Sequence, residues 1–322
     1  MKNLSVYNKP YQSPADLVNY LERRGLNFDE RCDKEKAEFI LKQINHYRFK
    51  GYLIPFLKEN DDFIEGSTFN HGVELYEFDT KLRELCNEFI LKIEVKLKSH
   101  LDQTLSSATN DPFWYLNDDN FHMKYPPNYL REKVRKSMAD SKTLFAVHYK
   151  KKYFSPKESY RSLPPFWVAS ELLTFGDVCV LFNGIHKDKV GPQRSNPLDI
   201  LAQSFGAKNI KELKSWLPLI KSIRNSCSHS NRTWNANYRL PKGFVNNENK
   251  AINDKVDISP TMKNKLYLGL VIIHLMSKNN LINGASFKDK VLNLLKEHEH
   301  IEYLKRGMGI PESWDSEDIW NA

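Results

Sequence analysis

The sequence lacks the features on which membrane and secreted proteins depend. Its 322 residues contain no run of about 18 apolar residues, the length that a transmembrane helix needs. The longest apolar stretch, residues 266–276, is interrupted by Gly269 and His274 and is expected to be a buried helix. The first residues have no apolar core of the kind that marks a signal peptide. We therefore expect a cytoplasmic protein without membrane contact.

Signals for metal and nucleotide chemistry are equally sparse. The four cysteines (Cys32, Cys86, Cys179 and Cys227) are scattered, and no pair has the spacing of metal ligands. There is no glycine-rich phosphate loop, and the histidines form no HExxH-like pair. We therefore expect no metal and no cofactor. The cysteines are interpreted as small core residues of a reducing compartment, and a nucleophilic Cys227 is the less favoured alternative.

Strand patterns are also absent, whereas helical periodicity is strong. Residues 75–101 place an apolar side chain every three or four positions, which predicts a long helix. Ser13 and Pro14 predict the start of an N-terminal helix, and Asp33 that of a second helix with Phe39, Ile40 and Ile44 on its inner side. The fold class is therefore predicted to be all-α. The expected organisation is a helical N-terminal region (1–65), a core (66–306) and a C-terminal tail (307–322).

Positive charge is concentrated in one segment. Residues 122–161 contain eleven Lys or Arg and three acidic residues, so their net charge of +8 equals that of the whole chain. Seven Tyr and Phe side chains are interleaved with these charges, among them Tyr149 and Tyr153. Lysines track a phosphate backbone and aromatic rings stack on unpaired bases, so Lys150, Lys151 and Lys152 are candidate RNA contacts. The alternative is a solvated helix face with its aromatic residues in the core.

The residues best suited to catalysis lie in RNSCSHSNRTWN, from Arg224 to Asn235. Cleavage of RNA by its own 2′-OH needs a group that transfers protons near neutral pH, and histidine with its ordinary pKa of about 6.5 is such a group. It also needs a fixed positive charge on the phosphate, which the planar guanidinium of arginine supplies. We therefore predict that His229 transfers protons, that Arg224 binds the scissile phosphate and that Asn225 orients one of the two.

Spacing brings these groups to one side of a helix. An apolar run from Trp216 to Ile223 leads into the motif, and Asn225 and His229 are four residues apart. Arg232 and Asn235 are expected to continue the same side and to contact RNA. The spacing alone is also compatible with a surface arginine and histidine on an ordinary helix. Glu94 lies beside the apolar stripe of the long helix, where it either positions Arg224 or forms a flanking salt bridge.

An arginine followed by a polar residue, three further residues and a histidine resembles the active-site motif of HEPN-type ribonucleases. RNSCSHSNRTWN also resembles the signature of the Abi family, the AbiD/AbiF-like abortive-infection proteins of bacterial phage defence. Other segments resemble that family in the expected order, over roughly residues 9 to 300: KPYQSPADLVNYLERRGLNF, FILKQINHYRFKGYLIPF, FDTKLRELCNEFILKIEVKLKSHL and PPFWVASELLTFGDVCVLFNGI.

The resemblance implies a HEPN-like helical bundle that acts as a toxin or defence effector and associates with a small non-coding RNA. It also implies a homodimer, because HEPN relatives usually pair two motifs and each chain supplies one clear proton-transfer histidine. The alternative function is a non-catalytic RNA-binding or protein-binding module, a sensor or a regulatory partner. A pure binder has no need of His229, which favours the enzyme.

Overall fold

A computed structural model describes residues 10–122, 127–153, 163–192, 194–245, 252, 262–278 and 286–321. Helices make up 68% of the structure and the described residues contain no strand, which confirms the all-α prediction. No helix in these ranges is both long enough and apolar enough to cross a bilayer. The helices are α1 (Pro14–Arg23), α2 (Lys34–Gln43), α3 (His46–Leu53), α4 (Phe69–Thr109), α5 (Asn128–Asp140), α6 (Leu144–Tyr153), α7 (Phe166–Ala169), α8 (Phe175–Gly184), α9 (Lys187–Val190), α10 (Pro197–Ser204), α11 (Ile210–Ser228), α12 (Lys242–Val245), α13 (Tyr267–Ser277), α14 (Phe287–Glu297), α15 (Leu304–Met308) and α16 (Asp318–Asn321).

The chain forms two compact units. The first comprises Met1–Leu82 and Leu294–Lys305, and the second comprises Arg83–Asn293 and Arg306–Ala322. The sequence prediction placed the boundaries after residues 65 and 306. The units are divided differently because α4 continues without a break past residue 82 and contributes to both of them.

The first unit begins with a helix that starts as its sequence predicts. Ser13 and Asp16 form a reciprocal capping box, and Pro14 occupies the first helical position. Asp33 accepts a hydrogen bond from the backbone of α2 and caps it, also as predicted. Of the predicted inner face of α2, Phe39 is wrong because it is 61% exposed, whereas Ile40 and Ile44 are half-buried. The buried residues of α2, which packs against α1, are Ala37 and Leu41.

The long helix α4 confirms the periodicity of residues 75–101 and extends it in both directions. Its apolar stripe is buried throughout: Leu75, Phe78, Leu82, Leu85, Phe89, Ile93 and Leu97. Burial of a Leu or Phe side chain contributes roughly 1.5–3 kcal/mol, so this stripe alone is a large part of the core. The helix is 41 residues long and extends well beyond its periodic segment at both ends.

The second unit is built around α11, which packs against α8, α10 and α13. Gly269 of α13 allows a close approach, because a Cβ atom there would lie 2.3 Å from Cδ1 of Ile223. The predicted C-terminal tail is part of this unit. Trp314 and Trp320 are buried, and the Trp320 indole donates a hydrogen bond to the Tyr267 hydroxyl of α13.

Candidate functional site

Helix α11 anchors the predicted catalytic residues through its apolar face. Asn209 caps its start, and Leu213, Trp216, Leu217, Ile220 and Ile223 are buried along its length. The last turn changes character, because Asn225, Ser228 and His229 are exposed while Cys227 remains buried. A rigid, buried helix therefore presents its polar C-terminal end to solvent.

The helix ends within the motif. Ser228 is its last residue and His229 is the C-cap, whose backbone N–H donates to the Asn225 carbonyl at 3.0 Å. Ser230 and Asn231 then donate to the carbonyls of Cys227 and Ser226, the pair of bonds that defines a Schellman motif. Asn225 and His229 therefore keep their predicted helical spacing. Residues beyond the cap do not continue it.

Ser230 occupies the position that glycine usually takes in this turn. Its φ is +53°, in the left-handed region that carries a steric cost for residues with a Cβ. The reversal of the chain at Ser230 corrects the expectation that Arg232 and Asn235 prolong the helical side of His229. They lie in the non-helical segment that follows the turn.

Arg224 lies five residues before the cap residue His229 and is paired with Glu94, an acidic residue of α4. Its Nη2 atom is 4.0 Å from Oε2 of Glu94, and the Arg224 side chain is 28% exposed. The other carboxylate oxygen of Glu94, Oε1, is 3.2 Å from Nζ of Lys98. Glu94 is itself buried. Of the two interpretations of Glu94 from the sequence, the structure places the residue beside Arg224 and also in a salt bridge along α4.

Lys221 of α11 and Glu94 of α4 both lie near Cys179 of α8. Burial raises the pKa of the Cys179 thiol to about 12, and the charges of Lys221 and Glu94 act on it in opposite directions, so both lie near Cys179. Lys221 precedes Arg224 by three residues on α11 and is partly exposed. Lys98 and Arg224 pair with Glu94 and Lys221 adds a third cation on α11, so cations outnumber this carboxylate, which favours an anionic ligand at this end of the helix.

The segment after the turn is fixed by two buried residues, Thr233 and Trp234. A Cβ atom on Gly307 would lie 2.4 Å from Cζ2 of Trp234, so the indole lies directly against the backbone of α15. Asn235 accepts a hydrogen bond from Lys265 through its backbone carbonyl, at 3.0 Å. Its Oδ1 atom is buried and has no hydrogen-bond partner among the described residues.

Lys265 adds a cation that the sequence did not single out. Burial and the nearby charge of Arg232 lower its pKa. The backbone N–H of Tyr238 donates to the Asn264 carbonyl at 2.7 Å, which ties the segment containing Lys265 to the segment containing Arg232. Arg232, Asn235 and Lys265 are therefore neighbours. Only a tertiary contact reveals Lys265, whereas Lys221 was detectable from its spacing to Arg224 on the helix.

The three predicted RNA-binding lysines of α6 differ in their surroundings. Lys150 donates to the backbone carbonyls of Ala139 and Ser141 at the end of α5, so it has a structural role. Lys151 and Lys152 are exposed, and Nζ of Lys152 lies 5.2 Å from the centroid of the Tyr153 ring. No hydrogen bond or ion pair of the described chain joins these three lysines to Arg224 or His229. Lys124, Lys157 and Arg161 of the basic window lie outside the described residues.

Neither an exposed cysteine nor a group of metal ligands accompanies these residues in the described part of the chain. Cys227 points into the core and is buried, as are the other three cysteines. Within the described ranges, no three His, Cys, Asp or Glu side chains are grouped so that they could hold a metal ion. The groups that the site offers to a ligand are the imidazole of His229, the guanidinium of Arg224 and neighbouring cations.

Comparison with known proteins identifies one family. A family model described as Abi-like protein matches residues 39–235, which is more than half of the chain and includes the whole of α11 and the Arg224–Asn235 segment. No curated protein and no solved structure matches the chain.

Proposed function

Because the chain belongs to the Abi-like protein family, we propose that it is a metal-independent endoribonuclease that acts as an effector in bacterial phage defence. Family membership indicates the abortive-infection role. The ribonuclease activity is inferred from the site. The observation that carries it is the placement of a partly buried Arg224 and an exposed His229 five residues apart at the end of a buried helix.

In the proposed reaction, the 2′-OH of one nucleotide attacks the adjacent phosphorus and the 5′ oxygen of the next nucleotide leaves. His229 takes the proton from the 2′-OH or gives a proton to the leaving oxygen. Arg224 binds the phosphate and stabilises the negative charge that develops on it. The carbonyl end of α11 repels an anion, so the guanidinium is needed to hold a phosphate there. Asn225, exposed beside His229, orients the imidazole or the phosphate.

The substrate path is proposed to extend along the cations that surround the motif. Arg232 and Asn235 lie on the segment beyond the turn, with Lys265 from a later segment beside them, and Lys221 precedes Arg224 on α11. Lys151 and Lys152 of α6 are exposed cations that would hold RNA further away, with Lys150 supporting the helix that carries them. A small non-coding RNA is the expected regulator, in the cytoplasm, on the basis of the family resemblance.

A homodimer is part of the proposal. One His229 supplies one proton-transfer group, whereas cleavage uses both a base and an acid, so two facing chains would complete the site. Mixing Arg224→Ala with His229→Ala protomers is then expected to restore part of the activity that each variant lacks alone. A monomer that keeps full specific activity at nanomolar concentration would contradict the dimer.

The enzyme and the alternative of a non-catalytic binding module are separated by expression in bacteria. We expect the wild type to slow growth and to cleave RNA, and Arg224→Ala and His229→Ala each to lower the cleavage rate on the order of 100-fold or more. Arg23→Ala and His300→Ala, which remove exposed residues of the same types in the first unit, are matched controls and should behave as wild type. Equal RNA binding and equal growth in all five proteins would favour the binding module.

A further inference from the structure

The feature that the proposed reaction leaves unexplained is the buried carboxylate of Glu94. Only 8% of this residue is exposed, and a buried charge is costly unless cations and hydrogen bonds compensate it. An acidic residue that served only as a flanking salt bridge would be expected on the solvated side of α4. Glu94 instead points towards α11, where Arg224 is its partner.

The pair between Glu94 and Arg224 is incomplete in a specific way. Oε2 of Glu94 and Nε of Arg224 are both buried, and neither has a hydrogen-bond partner among the described residues. The 4.0 Å between Nη2 and Oε2 exceeds a hydrogen bond by about 1 Å, so a small movement would close the pair. Once closed, the pair would restrain one edge of the guanidinium and leave its other donors for a phosphate.

Lys98 fixes the other half of the carboxylate. Its Nζ atom is 3.2 Å from Oε1, one turn along α4, and both side chains are largely buried. With Oε1 held in this way, Oε2 is directed at Arg224. The direction matters because a fork of donors can bind phosphate with two parallel hydrogen bonds only when its plane is set correctly.

We propose that Glu94 is a positioning residue, which sets the orientation of the Arg224 guanidinium for the phosphate while Lys98 holds the Glu94 carboxylate in place. This inference rests on the proposed ribonuclease function. Glu94 touches neither the RNA nor the reacting atoms, and it acts through Arg224. Its removal should therefore slow the chemical step far more than it weakens binding of RNA.

The first test is steady-state cleavage of a short RNA by Glu94→Gln, which keeps the shape of the side chain and removes its charge. We expect kcat to fall on the order of 10-fold to 100-fold, because a guanidinium displaced by about 1 Å loses its alignment, while KM changes by less than about 3-fold. Glu94→Asp, which keeps the charge on a shorter side chain, should recover part of kcat.

Glu88→Gln is the matched control. Glu88 is on the same helix and, like Glu94, is shared by two cations, here Lys92 and Lys290, each at 2.7 Å. It is more exposed than Glu94 and is not paired with Arg224. We expect this variant to keep the wild-type kcat, so that loss of a doubly bridged glutamate from α4 cannot by itself explain a slower reaction.

The second test separates positioning from a structural role. In an Arg224→Lys background no planar fork remains to be oriented, so adding Glu94→Gln should lower kcat by no more than about 2-fold. If the full effect of Glu94→Gln persists there, or if Glu94→Gln has the wild-type kcat, the positioning role is wrong and the ribonuclease stands. A wild type without His229-dependent cleavage would overturn the proposed function and this inference together.

Discussion

The close contact between Gly307 and Trp234 is expected to stabilise both the fold and the segment that carries Asn235. A Cβ atom on Gly307 would lie 2.4, 2.5 and 2.7 Å from three atoms of the Trp234 indole, each well inside ordinary contact. The ring is 1% exposed and rigid, so it cannot turn away as a flexible side chain would. Overpacking of this kind costs about 1–3 kcal/mol, and replacing a helical glycine by alanine returns up to about 1 kcal/mol. Gly307→Ala should therefore lower the free energy of unfolding by about 1–2 kcal/mol.

Urea denaturation followed by circular dichroism measures this effect. Gly176→Ala is the matched control, because a Cβ atom there would lie 3.5 Å from Cδ of Lys221, an ordinary contact, and the residue is also helical. We expect the control to be as stable as the wild type or more stable by up to about 1 kcal/mol, because it gains the helical preference of alanine without a clash. RNA cleavage by Gly307→Ala should also fall, because Trp234 anchors the segment that carries Asn235. A midpoint for Gly307→Ala at or above that of the wild type would refute this account of the contact.

Three further predictions follow from the described geometry. Ser230→Gly should raise the free energy of unfolding by roughly 1 kcal/mol, because glycine has no steric cost at the φ of +53°; an unchanged urea midpoint would show that the turn is unstrained. Burial lowers the pKa of His274 to about 4, so the folded state resists protonation. Stability should then be lost as pH falls from about 6.5 to 4, on the order of 2 kcal/mol, and His274→Leu should flatten this part of the pH profile. Lys151→Glu with Lys152→Glu should weaken RNA binding and reduce the slope of log affinity against log salt by roughly 0.7 for each lost phosphate contact. Lys150→Met should instead lower thermal stability, and an unchanged salt slope in the folded double variant would exclude α6 from the RNA path.

Local signals in the sequence predicted much of the helical structure. The apolar stripe of α4 repeats regularly enough to define the buried face. Ser13 and Pro14 are a strong start signal, because the Ser13 hydroxyl accepts a hydrogen bond from a free N–H of the first turn and Pro14 has no N–H to satisfy. On α2 the prediction of Phe39 as an inner residue was wrong, since hydrophobicity favoured it while the folded chain buries Ala37 and Leu41 and half-buries Ile40 and Ile44. Register on a short helix depends on its neighbours more than on its own composition.

The sequence predicted the proximity of site residues only where they lie on the same helix. Arg224, Asn225 and His229 lie on α11 or at its cap, so their spacing fixed their proximity. The chain reversal at Ser230 was not predictable, because such turns are expected to use glycine or asparagine. Contacts between distant parts of the chain, such as that of Lys265 with Asn235, arise from tertiary packing, which one sequence does not reveal. The sequence offered the pairing of Glu94 with Arg224 only as one of two interpretations.

The central claim is that Arg224 and His229 cleave RNA without a metal, and the chemistry of the cut ends tests it most directly. Purified wild type and His229→Ala would be incubated with a labelled RNA in EDTA, and both ends of the products analysed. The account predicts a 5′ hydroxyl together with a 2′,3′-cyclic phosphate, or the 3′-phosphate formed from it, in the wild type alone. Products that carry a 5′ phosphate and a 3′ hydroxyl, or cleavage that needs a divalent metal, would contradict it.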